Sequence, residues 1–469
     1  PRRFAVLGMA RTSYDDDRFR TSIREGLLSF VRPDEVDEKA IHAFLSCLHY
    51  LSADPSKPEA YAELRIRLEE IDRTIDNPHN YLYYLATPPL LYGVIPRHLK
   101  AEGLNRDGDG FRRIVVEKPF GYDLSSALEL NRIYLDAFRE EQIYRIDHFL
   151  GKETVQNILA LRFANSVFEP LWNRNYIDYV EITAVENMGI GTRGGFYDGV
   201  GTLRDMVQNH LAQLLAVTAM EPPAAFDASG FRNEVVKVYQ SLTPLTGEDI
   251  RHSVVRGQYM ASEGRKGYRE EEQVPTLSRT ETYLAMRLEL NNWRWGGVPF
   301  YIRTGKQMPT KVSEIVIHFK PAPYSLFRCE GGTCPVPNRL VIRIQPNEGI
   351  VLRIGMKKPG EGFEVLPMDM DFSYAELGRL PTEDAYARLI EDCIAGDPTL
   401  FIRSDAVESG WRFFDPILKY WQDVPECPLY GYPAGSWGPL EADSLMARHG
   451  ASWTNPCKNL TNTHLYCEL

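Results

Sequence analysis

Arg113-Ile114-Val115-Val116-Glu117-Lys118-Pro119-Phe120-Gly121 is a short apolar run closed by a Pro/Gly turn, and from Asp123 a helical pattern runs to Glu140. A run too brief for a helix, stopped by turn residues and followed by an N-capping side chain, reads as one strand–turn–helix unit. Asp123 suits the cap because its carboxylate accepts N–H groups that the first helical turn leaves unpaired. Working back toward the N-terminus, the same unit recurs: Phe4 to Gly8 then Asp15 to Leu28, Ala43 to Leu51 then Pro58 to Ile75, and Asn80 to Ala86 then Leu90 to Leu104. Strands alternating with helices at this spacing predict parallel βαβ units, hence an α/β, doubly wound sheet whose ligands lie at the strand C-termini.

Beyond about residue 180 the period changes. Tyr179 to Val185, Glu314 to Phe319, Arg339 to Ile344 and Val351 to Ile354 alternate apolar and polar residues, the pattern of strands covered on one face. A large, mainly antiparallel sheet is predicted, with helices at Tyr197 to Ala219 and Glu383 to Ala395 covering one side: an α+β second domain. The domain boundary is placed at 147/148. The Pro/Gly-rich stretch Pro425 to Pro439 reads as a surface connection to a last helix, Leu440 to His449.

The 469 residues are too many for one simple core. With 43% hydrophobic and 25% charged residues and no apolar run of transmembrane length, the chain reads as soluble, not membrane-spanning. A net charge of −11 argues against a broad nucleic-acid surface and makes any anion site local. Seven scattered cysteines do not form a secreted disulfide framework, so a reducing, cytoplasmic setting is expected. Cys329 and Cys334 lack a second pair at zinc spacing, and no metal is assigned. The chain starts on a strand without initiator Met or signal pattern, which reads as the middle of a domain.

The most concentrated chemistry lies in Arg145-Ile-Asp147-His148-Phe149-Leu-Gly-Lys152, two cations, a carboxylate and an imidazole among apolar side chains. Partly buried charges need partners, and the positive surplus here points to an anion such as a phosphate ester. An ordinary structural ion-pair cluster is the competing reading. His210 lies four residues from both Met206 and Leu214, on a helical apolar face, where a core histidine or a general base would both fit. Asp205 is five residues away, roughly 140° round an α-helix, so the carboxylate that orients His210 is expected from elsewhere, with Asp147 the best candidate. Lys118 at a strand end, Lys306 and Lys311 in a Gly/Pro loop, and Arg11 just past the first strand are either solvated cations or ligand contacts; an Arg at Arg11 leans toward the 2′-phosphate of NADP. Gly189-Ile-Gly191-Thr-Arg193-Gly194 has nucleotide-loop spacing, but no helix is expected to open at its third Gly, so it is read as a loop of the second domain.

Six motifs occur in order: Glu117-Lys-Pro-Phe-Gly121, Arg145 to Lys152, Leu161-Arg-Phe-Ala-Asn165, Arg204-Asp-Met-Val-Gln-Asn-His-Leu211, Asn292-Trp-Arg-Trp295 and Arg303-Thr-Gly-Lys306. Together they make the chain similar to the glucose-6-phosphate dehydrogenase family over essentially its whole length. The resemblance implies a Rossmann-like NADP domain, a β+α domain that supplies a dimer interface, and oxidation of β-D-glucose 6-phosphate at C1 to the 6-phosphoglucono-δ-lactone. It implies a homodimer or a dimer of dimers. By motif, His210 matches the base and Asp147 its orienting carboxylate; His148 and Lys152 match phosphate ligands. Lys118 matches the lysine between sugar and nicotinamide, Glu186, Asp205, Lys306 and Lys311 match sugar or phosphate contacts, and Arg11 matches the 2′-phosphate arginine. Three departures stand out: the glycine turn of the cofactor site is expected before residue 1, Phe149 replaces a Tyr, which removes a hydroxyl and is expected to weaken phosphate affinity, and Arg353 replaces a Lys of a second, structural NADP site, left open. The rival readings are a non-catalytic sugar-phosphate-binding paralogue or scaffold, and a dehydrogenase of another aldose phosphate or one that also uses NAD.

Overall fold

The computed structural model describes residues 4–31, 36–324, 326–329, 338–360, 362–374 and 384–456. Two compact units emerge, Pro1–Gly121 with Leu128–Ile146, and Tyr122–Ala127 with Asp147–Leu469.

In the first unit β1 (Val6–Ala10) pairs in parallel with β2 (Leu48–Ser52), and β3 (Tyr81–Leu85), β4 (Arg112–Val116) and β5 (Ile143–Arg145) form a second parallel ladder. Helices fill the crossovers: α1 (Asp16–Phe30), α2 (Glu38–Ser46), α3 (Glu59–Ile75), α4 (Ile95–Ala101) and α5 (Leu124–Ala137). The α/β expectation is met. The Asp123 carboxylate accepts the Ser126 N–H at 2.7 Å at the start of α5, as its position predicts. One boundary differs: the stretch from Ala43, expected as strand, is the end of α2, because Asp37 caps Lys39 and Ala40 and starts a helix that the apolar run conceals.

The second unit is built on a ten-stranded sheet. Its strands are β6 (Ile177–Val185), β7 (Val254–Met260), β8 (Tyr283–Glu289), β9 (Pro299–Gly305), β10 (Val312–Phe319), β11 (Arg328–Cys329), β12 (Arg339–Gln345), β13 (Gly349–Lys357), β14 (Glu364–Ser373) and β15 (Tyr430–Pro433), in the order β11-β14-β13-β12-β10-β6-β9-β8-β7-β15. Six of the neighbouring pairs are antiparallel; β6 with β9, β11 with β14 and β15 with β7 are parallel. The mainly antiparallel α+β reading therefore holds. Within the predicted connection Pro425 to Pro439, however, Tyr430–Pro433 forms the edge strand β15, too short to show alternation and ended by a Pro that an edge tolerates. The predicted helix from Glu383 is seen from Ala385 to Ala395; Glu383 and Cys334 lie outside the described residues.

Two corrections concern the helical stretch that follows β6. A helix does open at Gly194, against expectation: α7 runs Gly194–Thr202 after a short turn. A Cβ on Gly194 would lie 2.0 Å from the Glu272 carbonyl, so this glycine permits close packing. After α7, Leu203–Leu211 winds as a π-helix before α8 (Ala212–Ala219) resumes α geometry. With i→i+5 winding, residues five apart share a face, so Asp205 and His210 are not on opposite sides as α spacing implied.

The far end of this stretch is firmly tied down. The last carbonyls of a helix have no partner within it, and here they are taken by buried side chains. Arg162, on α6 (Glu153–Phe163), donates to Val217 O and Thr218 O at 3.1 Å each and to Met220 O at 2.7 Å, while Trp172 Nε1 donates to Thr218 O and Trp295 Nε1 to Ala219 O, both at 2.8 Å. Two of the six motifs thus act as a clamp on the helix that bears His210. Arg162→Ala strands these carbonyls and is expected to lower the stability of the second unit by about 3–5 kcal/mol, read as a shift of the urea midpoint; a change under about 1 kcal/mol contradicts the clamp.

Candidate active site

Asp147 begins a tight turn directly after β5 and Ile146, and the Leu150 N–H donates to Asp147 O at 3.0 Å. The same turn brings the Phe149 N–H to Asp147 Oδ1 at 2.9 Å, a local contact that helps hold the carboxylate. His210 reaches it from the π segment: Nδ1 donates to Asp147 Oδ1 at 2.6 Å, with both residues 2% exposed or less. Burial alone pushes the Asp147 carboxyl up, but the adjacent His210 and His148 imidazoles and the Phe149 N–H outweigh it and bring the carboxyl down to about 2. It is therefore a carboxylate at neutral pH. Because a carboxylate can only accept, the His210 nitrogen that faces Asp147 is the one that carries the shared proton, Nδ1.

Aromatic and cationic groups frame the pair. The Phe149 ring stacks on His210 with centroids 4.5 Å apart, and Lys152 Nζ lies 4.2 Å from the same ring's centroid. His148 meets His210 edge-on at 4.5 Å, and the ring of Tyr386 lies parallel to His148 at 6.0 Å. The Asp147, His148 and His210 ligand atoms all lie within 4.8 Å of one another. Lys152 Nζ donates to Gln345 Oε1 at 2.7 Å. Burial, together with Lys311, lowers the Lys152 ammonium to about 8, despite opposing contributions from Glu348 and Asp147.

A second cluster arises from strand topology. Because β6 and β9 are parallel, with Val185 opposite Gly305, the residues just beyond them emerge side by side. These are Glu186 and Lys306. Lys306 Nζ donates to Glu186 Oε2 and lies 3.5 Å from Asp205 Oδ2, one π turn before His210. Lys306 is 3% exposed and its Nζ is 5.4 Å from the Tyr197 ring centroid. Lys311 stands exposed just before β10.

The structure thus brings Asp147, His148, Lys152 and His210 into one group, and Glu186, Asp205 and Lys306 into another. Arg145 is 1% exposed, donates to Glu140 Oε1 at 2.8 Å and to Asn131 Oδ1 at 3.1 Å, and lies 4.8 Å from the Phe120 ring. The structural ion pair was the right reading for that cation. Arg11 and Lys118 belong to the first unit, at the C-terminal ends of β1 and β4. Arg11 is exposed beside Asp54, whose carboxyl is lowered chiefly by the Ser56 N–H, with Arg11 contributing. Sequence reading missed Gln345 and Tyr386; both come from distant elements, and neither residue type signals a role on its own.

A family model described as the NAD binding domain of glucose-6-phosphate dehydrogenase matches residues 1–157, and one described as the C-terminal domain of the same enzyme matches 159–454. The chain is 51% identical over 457 residues to glucose-6-phosphate 1-dehydrogenase of Aggregatibacter actinomycetemcomitans, covering 97% of this chain and 91% of that protein. It is 46% identical over 474 residues to the enzyme of Treponema pallidum, covering 100% of this chain and 92% of that one. Among solved structures, a glucose-6-phosphate dehydrogenase in complex with its substrate glucose-6-phosphate superposes with a TM-score of 0.87 at 33% identity, covering 96% of this chain and 91% of that one. The Mycobacterium avium enzyme gives 0.82 at 36%, covering 97% and 91%.

Lys152 yields a direct test. Its ammonium is depressed, so the cation is present below about pH 8 and is lost as pH rises through that value. Inorganic phosphate binding, followed calorimetrically, is expected to weaken about tenfold between pH 7 and pH 9.5, and Lys152→Arg is expected to flatten that dependence. An equal slope in both proteins contradicts the assignment.

Proposed function

The chain belongs to the glucose-6-phosphate dehydrogenase family, and on that premise we propose that it oxidises β-D-glucose 6-phosphate at C1 to 6-phosphoglucono-δ-lactone with NADP⁺. The observation that carries the reading is the buried Asp147–His210 hydrogen bond, with the His148 ring against His210 and the Lys152 ammonium against the Phe149 ring that stacks on it. In the proposed mechanism His210 Nε2 takes the proton of the C1 hydroxyl. The fixed Asp147 carboxylate stabilises the imidazolium that forms and keeps the ring in the tautomer with its proton on Nδ1. Bound NADP⁺ supplies the acceptor for the C1 hydride. No other residue needs to change its charge.

The two clusters divide the substrate between them. Lys306 is already paired with Glu186 and Asp205, so that group suits neutral hydroxyls, to which it offers both donors and acceptors. Among the described residues the Lys152 ammonium donates to the neutral Gln345 amide, which suits it to the phosphate, with His148 and Lys311 as further proposed contacts. Holding the remote phosphate spends binding energy on placing C1. The NADP⁺ contacts proposed are Arg11 and Lys118, Lys118 also touching the sugar. Arg11 fits a 2′-phosphate on its own geometry, as an exposed guanidinium at the C-terminal edge of a parallel strand. Residues 1–147 are proposed to carry the cofactor and 148–469 the sugar phosphate.

We further propose a homodimer formed through the second unit. Met368, Met370 and Phe372 share one face of β14 and are 49%, 60% and 38% exposed, a row of apolar side chains at a position where a partner surface would cover them. The proposed location is the cytoplasm; among the described residues no helix is long and apolar enough to cross a membrane.

Reduced nicotinamide absorbance after mixing the full chain with glucose 6-phosphate and NADP⁺ tests the activity, and absence of turnover rejects it. His210→Asn is expected to lower kcat by about 10⁴-fold or more with little change in KM; Lys152→Ala is expected chiefly to raise KM for the sugar phosphate, and Arg11→Ala to raise KM for NADP⁺ but not for NAD⁺. The reverse division of effects contradicts the roles. Met370→Asp is expected to shift sedimentation equilibrium toward monomer; an unchanged mass rejects the proposed interface.

A further inference from the structure

The π segment has two obligations. It must present Asp205 to Lys306, at 3.5 Å, and His210 to Asp147, at 2.6 Å. In α winding these residues would lie roughly 140° apart, and one segment could not meet both partners. Two of its hydrogen bonds span five residues: the Ala212 N–H, shared between Asn209 O and Val207 O, and the Asn209 side-chain Nδ2, which donates to Arg204 O at 2.8 Å. The register then depends on where this winding starts.

At its start the segment meets Glu281, which precedes β8. Gly201 takes φ 72°, ψ 168°, so the chain leaves the path of α7 and begins again. At this break the Thr202 N–H and Oγ1 donate to Glu281 O at 3.1 and 3.0 Å, and the Leu203 N–H donates to Glu281 Oε1 at 3.0 Å. Tyr197 Oη pairs with Thr202 Oγ1 at 2.7 Å, and Arg204 is tied to Tyr122 O at 2.7 Å and Val200 O at 3.1 Å. Glu281 is 6% exposed, and a Cβ on Gly201 would lie 2.5 Å from its Oε1, so the glycine admits the carboxyl group. A carboxylate accepting the first free N–H of a helical segment is favourable both as a cap and against the helix dipole.

We propose that Glu281 is a positioning residue for the reaction: by capping Leu203 it sets the residue at which π winding begins, and so places Asp205 and His210 on one face. The inference rests on the assignment of His210 as the base. Glu281 acts through that residue.

The test combines kinetics with structure on the full chain. Glu281→Ala is expected to lower kcat about 10- to 100-fold with KM for NADP⁺ unchanged, and its crystal structure to show 203–211 rewound toward α geometry. Glu281→Gln keeps the acceptor oxygen and is expected to retain kcat within about threefold. Gly201→Ala displaces the carboxyl group from the other side and is expected to behave like Glu281→Ala, which keeps the test open if that variant does not fold. In a His210→Asn background neither substitution is expected to cost more than about twofold. Retained π winding in Glu281→Ala or Gly201→Ala, equal losses for Gln and Ala, or losses that multiply with His210→Asn overturn the proposal. If instead the parent shows no turnover, or His210→Asn keeps it, the base assignment fails while the crystal structure still decides the cap.

Discussion

A carboxylate taken out of water must be paired, and Asp147 is paired with a ring that is itself buried. That hydrogen bond is the constraint around which the second unit is organised. One partner is delivered by the turn after β5, where the Phe149 N–H holds Oδ1. The other is delivered by a helical stretch clamped at its C-terminal end by Arg162, Trp172 and Trp295 and held at its start by Glu281 and Arg204. Much of the buried polar chemistry near the site thus serves to hold one imidazole still.

The charges follow the same logic. Arg145, from the same run as Asp147, is neutralised within the first unit by Glu140. Lys306 is neutralised by Glu186 and Asp205, and Lys152 is left with a neutral amide. On the proposed reading the dianion is met at one point of a surface whose overall charge is −11. Phe149, expected to weaken phosphate binding through its missing hydroxyl, has its ring in contact with both the Lys152 ammonium and the His210 imidazole.

Much of this was legible in the sequence because it rests on local periodicity. The βα units of the first 150 residues and the alternating strands after 180 carry signals within a few residues, and so does the Asp123 cap. What was not legible depends on context. Nothing in the residue pattern of Leu203–Leu211 separates π from α winding, so the angle between Asp205 and His210 was misjudged, although Asp147 was rightly sought as the partner. The helix opening at Gly194, the strand Tyr430–Pro433 and the helical end of the Ala43 run were hidden because packing, edge pairing and a cap outside the run decide them. Gln345 and Glu281 enter through contacts distant in sequence, and an uncharged amide or a lone Glu announces nothing by itself.

The central claim is that Asp147 holds His210 in the tautomer with its proton on Nδ1, so that Nε2 is the nitrogen that accepts the substrate proton. Asp147→Asn is nearly isosteric but presents an amide where the carboxylate accepted the Nδ1–H. Its kcat with glucose 6-phosphate and NADP⁺ is the most direct measurement. The account expects a fall of about 10²- to 10⁴-fold with KM for the sugar phosphate changed less than about threefold. A kcat near that of the parent, or a loss expressed wholly in KM, contradicts it.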